Sequence, residues 1–219
     1  GGYALETLAG FKMPPKLEQL SAGQGAMPSI DDIVFPPTLK SLEIPENKIY
    51  FLDYVKFPPS LKDLDVSQNR IESLKDVNFP SGLETLSLCF NPIESLKGVK
   101  FPESLQLLDI SNIPNESMAG VKFPELLEVL NLQSSMTTTR GLKLPQHLKH
   151  LILSGNGINS INPLKLPNTI EILYLNQNHI KTLNKVVFPP KLRELYLGVN
   201  LITTLKNVAF PATIEVLDF

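Results

Sequence analysis

The chain has 219 residues, with 20 basic and 22 acidic side chains, a formal charge of −2, and hydrophobic residues at 42%. Near-balanced charge argues against a nucleic-acid-binding domain, which needs a clustered excess of lysine and arginine, while the apolar share suffices for a packed core and argues against wholesale disorder. A single cysteine excludes an internal disulfide, and no apolar run reaches the roughly 18–20 residues that span a bilayer.

Taken in chain order, the first recurring element is Met13-Pro14, followed by Phe35-Pro36, Phe57-Pro58, Phe79-Pro80, Phe101-Pro102 and Phe123-Pro124, each 22 residues on. Leu144-Pro145 comes after 21, and Leu166-Pro167, Phe188-Pro189 and Phe210-Pro211 after 22 again. Ten of the 19 prolines therefore occupy one position of a repeating unit. The proline content reflects a period, not disorder. Seven residues after each start stands a leucine, from Leu20 and Leu42 to Leu195 and Leu217. Two residues later the series runs Ala22, Ile44, Val66, Leu88, Ile110, Leu132, Leu153, Leu175, Leu197 and Phe219. An asparagine follows in six units (Asn47, Asn69, Asn91, Asn156, Asn178 and Asn200), and two positions beyond it an isoleucine such as Ile71 or Ile180.

Each L-x-L segment predicts a strand, because successive side chains point to opposite faces: Leu64 and Val66 inward, Asp65 outward. One such strand cannot bury its apolar side alone, whereas stacked copies build a parallel sheet with a continuous core. The asparagine just past the strand is expected to turn inward and satisfy backbone groups of adjacent coils. The return path of about ten residues, apolar every three, is too short for a helix of several turns and suits 3₁₀ or extended polyproline-like segments. Proline there is expected to set the backbone ahead of the next strand, where its missing N–H does not disturb the ladder.

The pattern L-x-x-L-x-L-x-x-N-x-I resembles the leucine-rich repeat superfamily over essentially the whole chain. Its I-x-x-L-x-x-V half is similar to the short-repeat subclass typified by the leucine-rich regulator of protein phosphatase 1. Its P-x-x-L half is similar to repeats in effectors of bacterial pathogens and to proline-bearing repeats of lower eukaryotes. The resemblance implies an α/β-class, strand-dominated solenoid with about ten parallel strands on a concave face and little α-helix on the convex face. One solenoid is expected over residues 1–219: a partial repeat at 1–12, full repeats at 13–209 and a partial repeat at 210–219. Neither end carries the polar cap that solenoids require, so the chain reads as a segment of a longer protein, with Gly1-Gly2 as a cloning remnant.

Departures from the repeat carry the remaining information. The asparagine gives way to Gly25, Ile113 and Ser135, and Asn115 stands where an isoleucine belongs. In the sixth unit one residue is missing, and Thr137-Thr138-Thr139-Arg140 is expected to place polar groups at the inward isoleucine and leucine positions. These are either drift in a tolerant repeat or a functional kink halfway along the arc. Asn115-Glu116-Ser117 matches a glycosylation acceptor pattern, too short a match to support secretion.

The outward strand columns change character along the arc. The N-terminal half carries Glu43, Asp63, Asp65 and Asp109, suited to steering a basic partner but also ordinary for a solvated surface. The C-terminal half carries Ile152, Ile172, Tyr174 and Tyr196, flanked by Leu107 and Val129 and with His150 beside them. An exposed aromatic and apolar patch marks a binding site. Strand propensity and cross-strand packing are the competing explanation.

Catalytic chemistry is missing from the pattern. His147, His150 and His179 have no partners at metal-ligand spacing. Cys89 lies three repeats from His150, about 14 Å at the usual strand spacing, too far for a Cys-His pair. No phosphate loop or nucleophile elbow occurs, and no cofactor is implied. The expected function is a non-catalytic module binding a polypeptide on the concave face. The alternatives are the recognition region of a ubiquitin ligase or ligase component, and an extracellular receptor or adhesion segment. Cysteine poverty and the outer-turn lysines Lys56, Lys100, Lys122 and Lys165 favour an intracellular location.

Overall fold

The computed structural model describes residues 4–114 and 117–219. Asn115 and Glu116, the first two residues of the glycosylation pattern, fall outside the described residues. Ten three-residue strands follow one another: β1 (Gln19–Ser21), β2 (Ser41–Glu43), β3 (Asp63–Asp65), β4 (Thr85–Ser87), β5 (Leu107–Asp109), β6 (Val129–Asn131), β7 (His150–Ile152), β8 (Ile172–Tyr174), β9 (Glu194–Tyr196) and β10 (Val216–Asp218). They form a single parallel sheet in chain order. Leu20 pairs with Leu42, Leu64 with Leu86, and Leu130 with Leu151, so the register is that of the repeat even where one residue is missing. Among the described residues there is no helix.

The strand leucines Leu42 to Leu195 are at most 1% exposed, and the column two residues on, from Ile44 to Leu197, is equally buried. Only the terminal coils, which lack an outer neighbour, leave Leu20 half-buried and Leu217 exposed.

The return path is extended chain broken by two tight turns. In all ten coils the carbonyl of the repeat proline accepts the N–H three residues on, as in Leu39 to Pro36 and Ile214 to Pro211, both within 3.2 Å. A second turn closes between the inward residues of the L-x-x-V segment, as in Val77 to Leu74 at 3.3 Å. Several of these second turns hold their third residue at positive φ, namely Gly10, Asp76, Gly98, Gly120, Gly141, Lys185 and Asn207. That is the type II geometry, and it explains the glycines at this point of the unit.

The asparagines do turn inward. Asn178 donates from Nδ2 to the carbonyls of Leu153 and Leu175, both at 2.9 Å, and accepts at Oδ1 from the N–H groups of Asn156 and Ile158. Asn47, Asn69, Asn91, Asn156 and Asn200 repeat the arrangement. In the sixth unit Ser135 bonds the Ile110 carbonyl at 2.6 Å. The expectation of two polar inward positions in that unit needs correction. The deletion falls before Met136, whose N–H bonds Asn156 as an isoleucine would and whose side chain is 3% exposed. Only Thr139 replaces an inward apolar residue.

Candidate functional site

With the register set, strands β1–β10 present two outward columns on the concave face. At the C-terminal end β8 and β9 align Tyr174 with Tyr196. Their rings stack with centroids 4.5 Å apart and an interplanar angle of 4°. Both are half-buried, as are Ile152, Ile172, Leu107, Val129 and His150. Cross-strand packing therefore operates on this face, and the patch stays open to solvent on its outer side.

The Tyr196 hydroxyl donates to Glu194 at 2.8 Å, which fixes one ring of the stack. That bond, with desolvation second, pushes the Tyr196 phenol up to about 12. The residue is therefore a neutral, oriented donor at physiological pH. Beside the stack, a shallow depression of about 450 Å³ is lined by His150, Ile152, Ile172 and Tyr174, with Asn131, Gln133, Ser154 and Asn176 along its polar side.

The acidic half divides in two. Glu43 and Asp63 are exposed. Asp65 accepts the Ser67 N–H at 2.9 Å, and Asp109 accepts the Ser111 N–H at 2.9 Å and the Asn131 amide at 3.2 Å. These two carboxylates close the turn after their strands as well as facing solvent. A second depression, about 430 Å³, lies over Glu43, Asp63, Asp65 and Thr85.

The sequence patterns above passed over a charged column just ahead of the strands. Lys40 pairs with Glu18 at 3.0 Å, Lys62 with Glu84 at 2.8 Å, Lys149 with Glu128 at 2.9 Å, and Arg193 with Glu215 at 2.8 Å. Arg193 grips Glu215 through Nε and an Nη in a bidentate fork. That contact holds the Glu215 carboxyl below the ordinary carboxylate range. Residues of opposite sign one repeat apart were the available signal. Of the three histidines, His147 meets the Glu125 carbonyl at 3.0 Å, and His179 packs near Gly157. Cys89 sits against Ser87 at 3.7 Å, and burial pushes its thiol up, away from the reactive thiolate.

Comparison with known proteins agrees with this architecture. The FNIP Repeat family matches residues 159–200, and a Leucine Rich repeat family matches residues 145–160. By sequence, no curated protein is significantly similar. An internalin (InlF) from Listeria monocytogenes superposes with a TM-score of 0.70 at 16% identity, covering 92% of this chain and 66% of that one. YopM from Yersinia enterocolitica gives 0.63 at 24% identity, covering 95% of this chain and 52% of that one. A chain of the LRIM1/APL1C complex gives 0.69 at 22%, covering 85% and 36%. The chain thus spans less than two thirds of the length of these neighbours, and it shares their fold.

Proposed function

We propose that this leucine-rich repeat solenoid is a protein-interaction module that takes a polypeptide partner on its concave face. The observation that carries the reading is the stacked pair of Tyr174 and Tyr196, half-open to solvent and continuous with the depression over Ile152 and Ile172. Aromatic side chains standing in a partly desolvated patch are the commonest anchors of protein interfaces. Leu107, Val129 and His150 extend the surface toward the middle of the arc. Glu43, Asp63, Asp65 and Asp109 give the other half a negative field that favours a partner basic at that end. The LRIM1/APL1C neighbour is itself one member of a protein complex, which accords with such a use of the fold.

The test is affinity capture of partners on wild-type protein, followed by titration of the recovered partner against Tyr174→Ala/Tyr196→Ala. The double variant is expected to bind about 2–4 kcal/mol more weakly, the range of paired hot-spot residues. Equal affinity, with an unchanged circular dichroism spectrum, would refute the reading.

A further inference from the structure

The convex side carries departures of its own, concentrated in one coil. Tyr50, Phe51 and Tyr54 stand at positions that the other coils fill mainly with polar residues or glycine. At the position of Phe51 the nine other coils have serine or threonine, from Thr7 and Ser29 to Thr182 and Thr204. Each hydroxyl there accepts the N–H two residues on and so closes the next turn. Phe51 gives up that bond. At the position of Tyr54 the neighbouring coils have Asp32 and Asp76, and the later ones include Gly98, Gly120 and Gly141. None of the three rings is buried: Tyr54 is 70% exposed, Tyr50 43% and Phe51 41%.

The rings are ordered as well as exposed. Phe51 and Tyr54 meet edge to face, with centroids 6.2 Å apart and planes at 85°, forming a corner with two aromatic walls. Tyr50 already holds a cation: the Arg70 guanidinium lies 5.6 Å from its ring centroid and donates to its hydroxyl at 2.7 Å. Arg70 apart, the turns around the corner are net negative. The turns at 30–33, 52–55 and 74–77 carry Asp31, Asp32, Asp53 and Asp76 against the single base Lys75, with Lys56 at the border. The next six turns, from 96–99 to 205–208, carry Lys97, Arg140, Lys185 and Lys206 and no acid. Aromatic faces attract cations through their quadrupole, more strongly when carboxylates lie nearby.

We infer that this convex corner is a second interaction surface, and that its occupant is an arginine- or lysine-bearing peptide segment. The cation packs between Phe51 and Tyr54, and Asp32, Asp53 and Asp76 neutralise it. This surface is independent of the concave one.

The probe is a fluorescein-labelled tetra-arginine peptide read by anisotropy, with tetra-glutamate as control. Phe51→Ser/Tyr54→Gly substitutes residue types that other coils carry at these positions, including the hydroxyl that closes the turn. It is expected to weaken tetra-arginine binding about tenfold, the size of two cation–π contacts at exposed rings. Asp32→Asn/Asp76→Asn keeps the rings, and is expected to weaken binding and flatten its salt dependence. That pair carries the test if the aromatic variant fails to fold. Glu103→Gln/Glu125→Gln makes the same charge change at exposed positions outside both proposed surfaces, and is expected to bind as wild type. The inference is overturned if wild-type protein fails to bind tetra-arginine or binds tetra-glutamate equally. It is also overturned if the corner variants bind unchanged, or if Glu103→Gln/Glu125→Gln weakens binding as much as they do.

Discussion

Replacing Asn178 with alanine tests whether the asparagine ladder holds the coils together. Asn178 is 3% exposed and serves four main partners. Two are carbonyls with a second donor: Leu153 O keeps Asn156 Nδ2 at 2.9 Å, and Leu175 O keeps Asn200 Nδ2 at 2.8 Å. Two are N–H groups, of Asn156 and Ile158, that bond to the Asn178 oxygen. The substitution therefore orphans two buried donors and weakens two acceptors. At roughly 1–3 kcal/mol for each buried group left unpaired, the expected loss is about 3–4 kcal/mol. That is near the upper end for single substitutions. Urea denaturation measures the total. Because neighbouring coils of a solenoid can unfold in steps, amide exchange at Ile158 should be followed in parallel. Protection there is expected to fall while protection at Ile71, five coils away, holds. A loss below about 1 kcal/mol would show that water replaces the oxygen freely, and the argument from buried donors would fail.

Three further outcomes follow from local geometry. The Tyr196 phenolate absorbance, isolated by difference from Tyr196→Phe, should rise with a midpoint of about 12. In Glu194→Gln that midpoint should fall toward the ordinary value of about 10. Because folding raises this phenol, its contribution to stability is complete below about pH 10 and is lost as pH climbs toward 12. Gly98→Ala and Gly141→Ala both force alanine to positive φ, an expense of about 1–2 kcal/mol. At Gly141 the new Cβ would also lie 2.9 Å from the Ala119 Cβ, whereas nothing lies within 4 Å at Gly98. Thermal melting should therefore place Gly141→Ala below Gly98→Ala. Thr139→Val should raise stability by about 1 kcal/mol in the same assay, because Thr139 is buried in a column where its neighbours are Met118 and Ile161.

The fold was legible because each column of the repeat is written many times over. A leucine at one position in ten units leaves a single register, and the strands obey it even across the deletion before Met136. What the pattern hid is backbone geometry carried by ordinary residues. In nine coils the residue just before the asparagine position has φ between 50° and 68°, yet only Gly155 among them is glycine. Gln24, Gln68, Phe90 and Val199 occupy that strained region because their surroundings hold them there. The N–H of Gln68 bonds Cys89 O at 2.8 Å, and that of Phe90 bonds Ser111 O at 3.1 Å, each in the next coil. No composition signal marks such a position, since the partner is a carbonyl. The return path is extended, one of the two forms the spacing allowed, but its turns were not legible: apolar spacing of three fits a 3₁₀ segment and two separate turns equally well. Only the hydrogen bonds of Pro36 and Leu74 distinguish them.

The proposed concave site was readable as a list of residues but not as an arrangement. A column of letters shows Tyr174 next to Tyr196. It does not show that their rings stack, or that Glu194 holds one hydroxyl. That difference bears on binding, because association must offset the entropy of immobilising side chains. A stacked and anchored pair has little rotamer freedom left to lose. The exposed Glu43 and Asp63 have no such restraint among the described contacts, and their influence falls off over a Debye length of about 8–10 Å. The two ends of the face therefore suit different tasks under the proposed function. The acidic end sets how fast and in which orientation a partner arrives, and the ordered tyrosine end sets how long it stays.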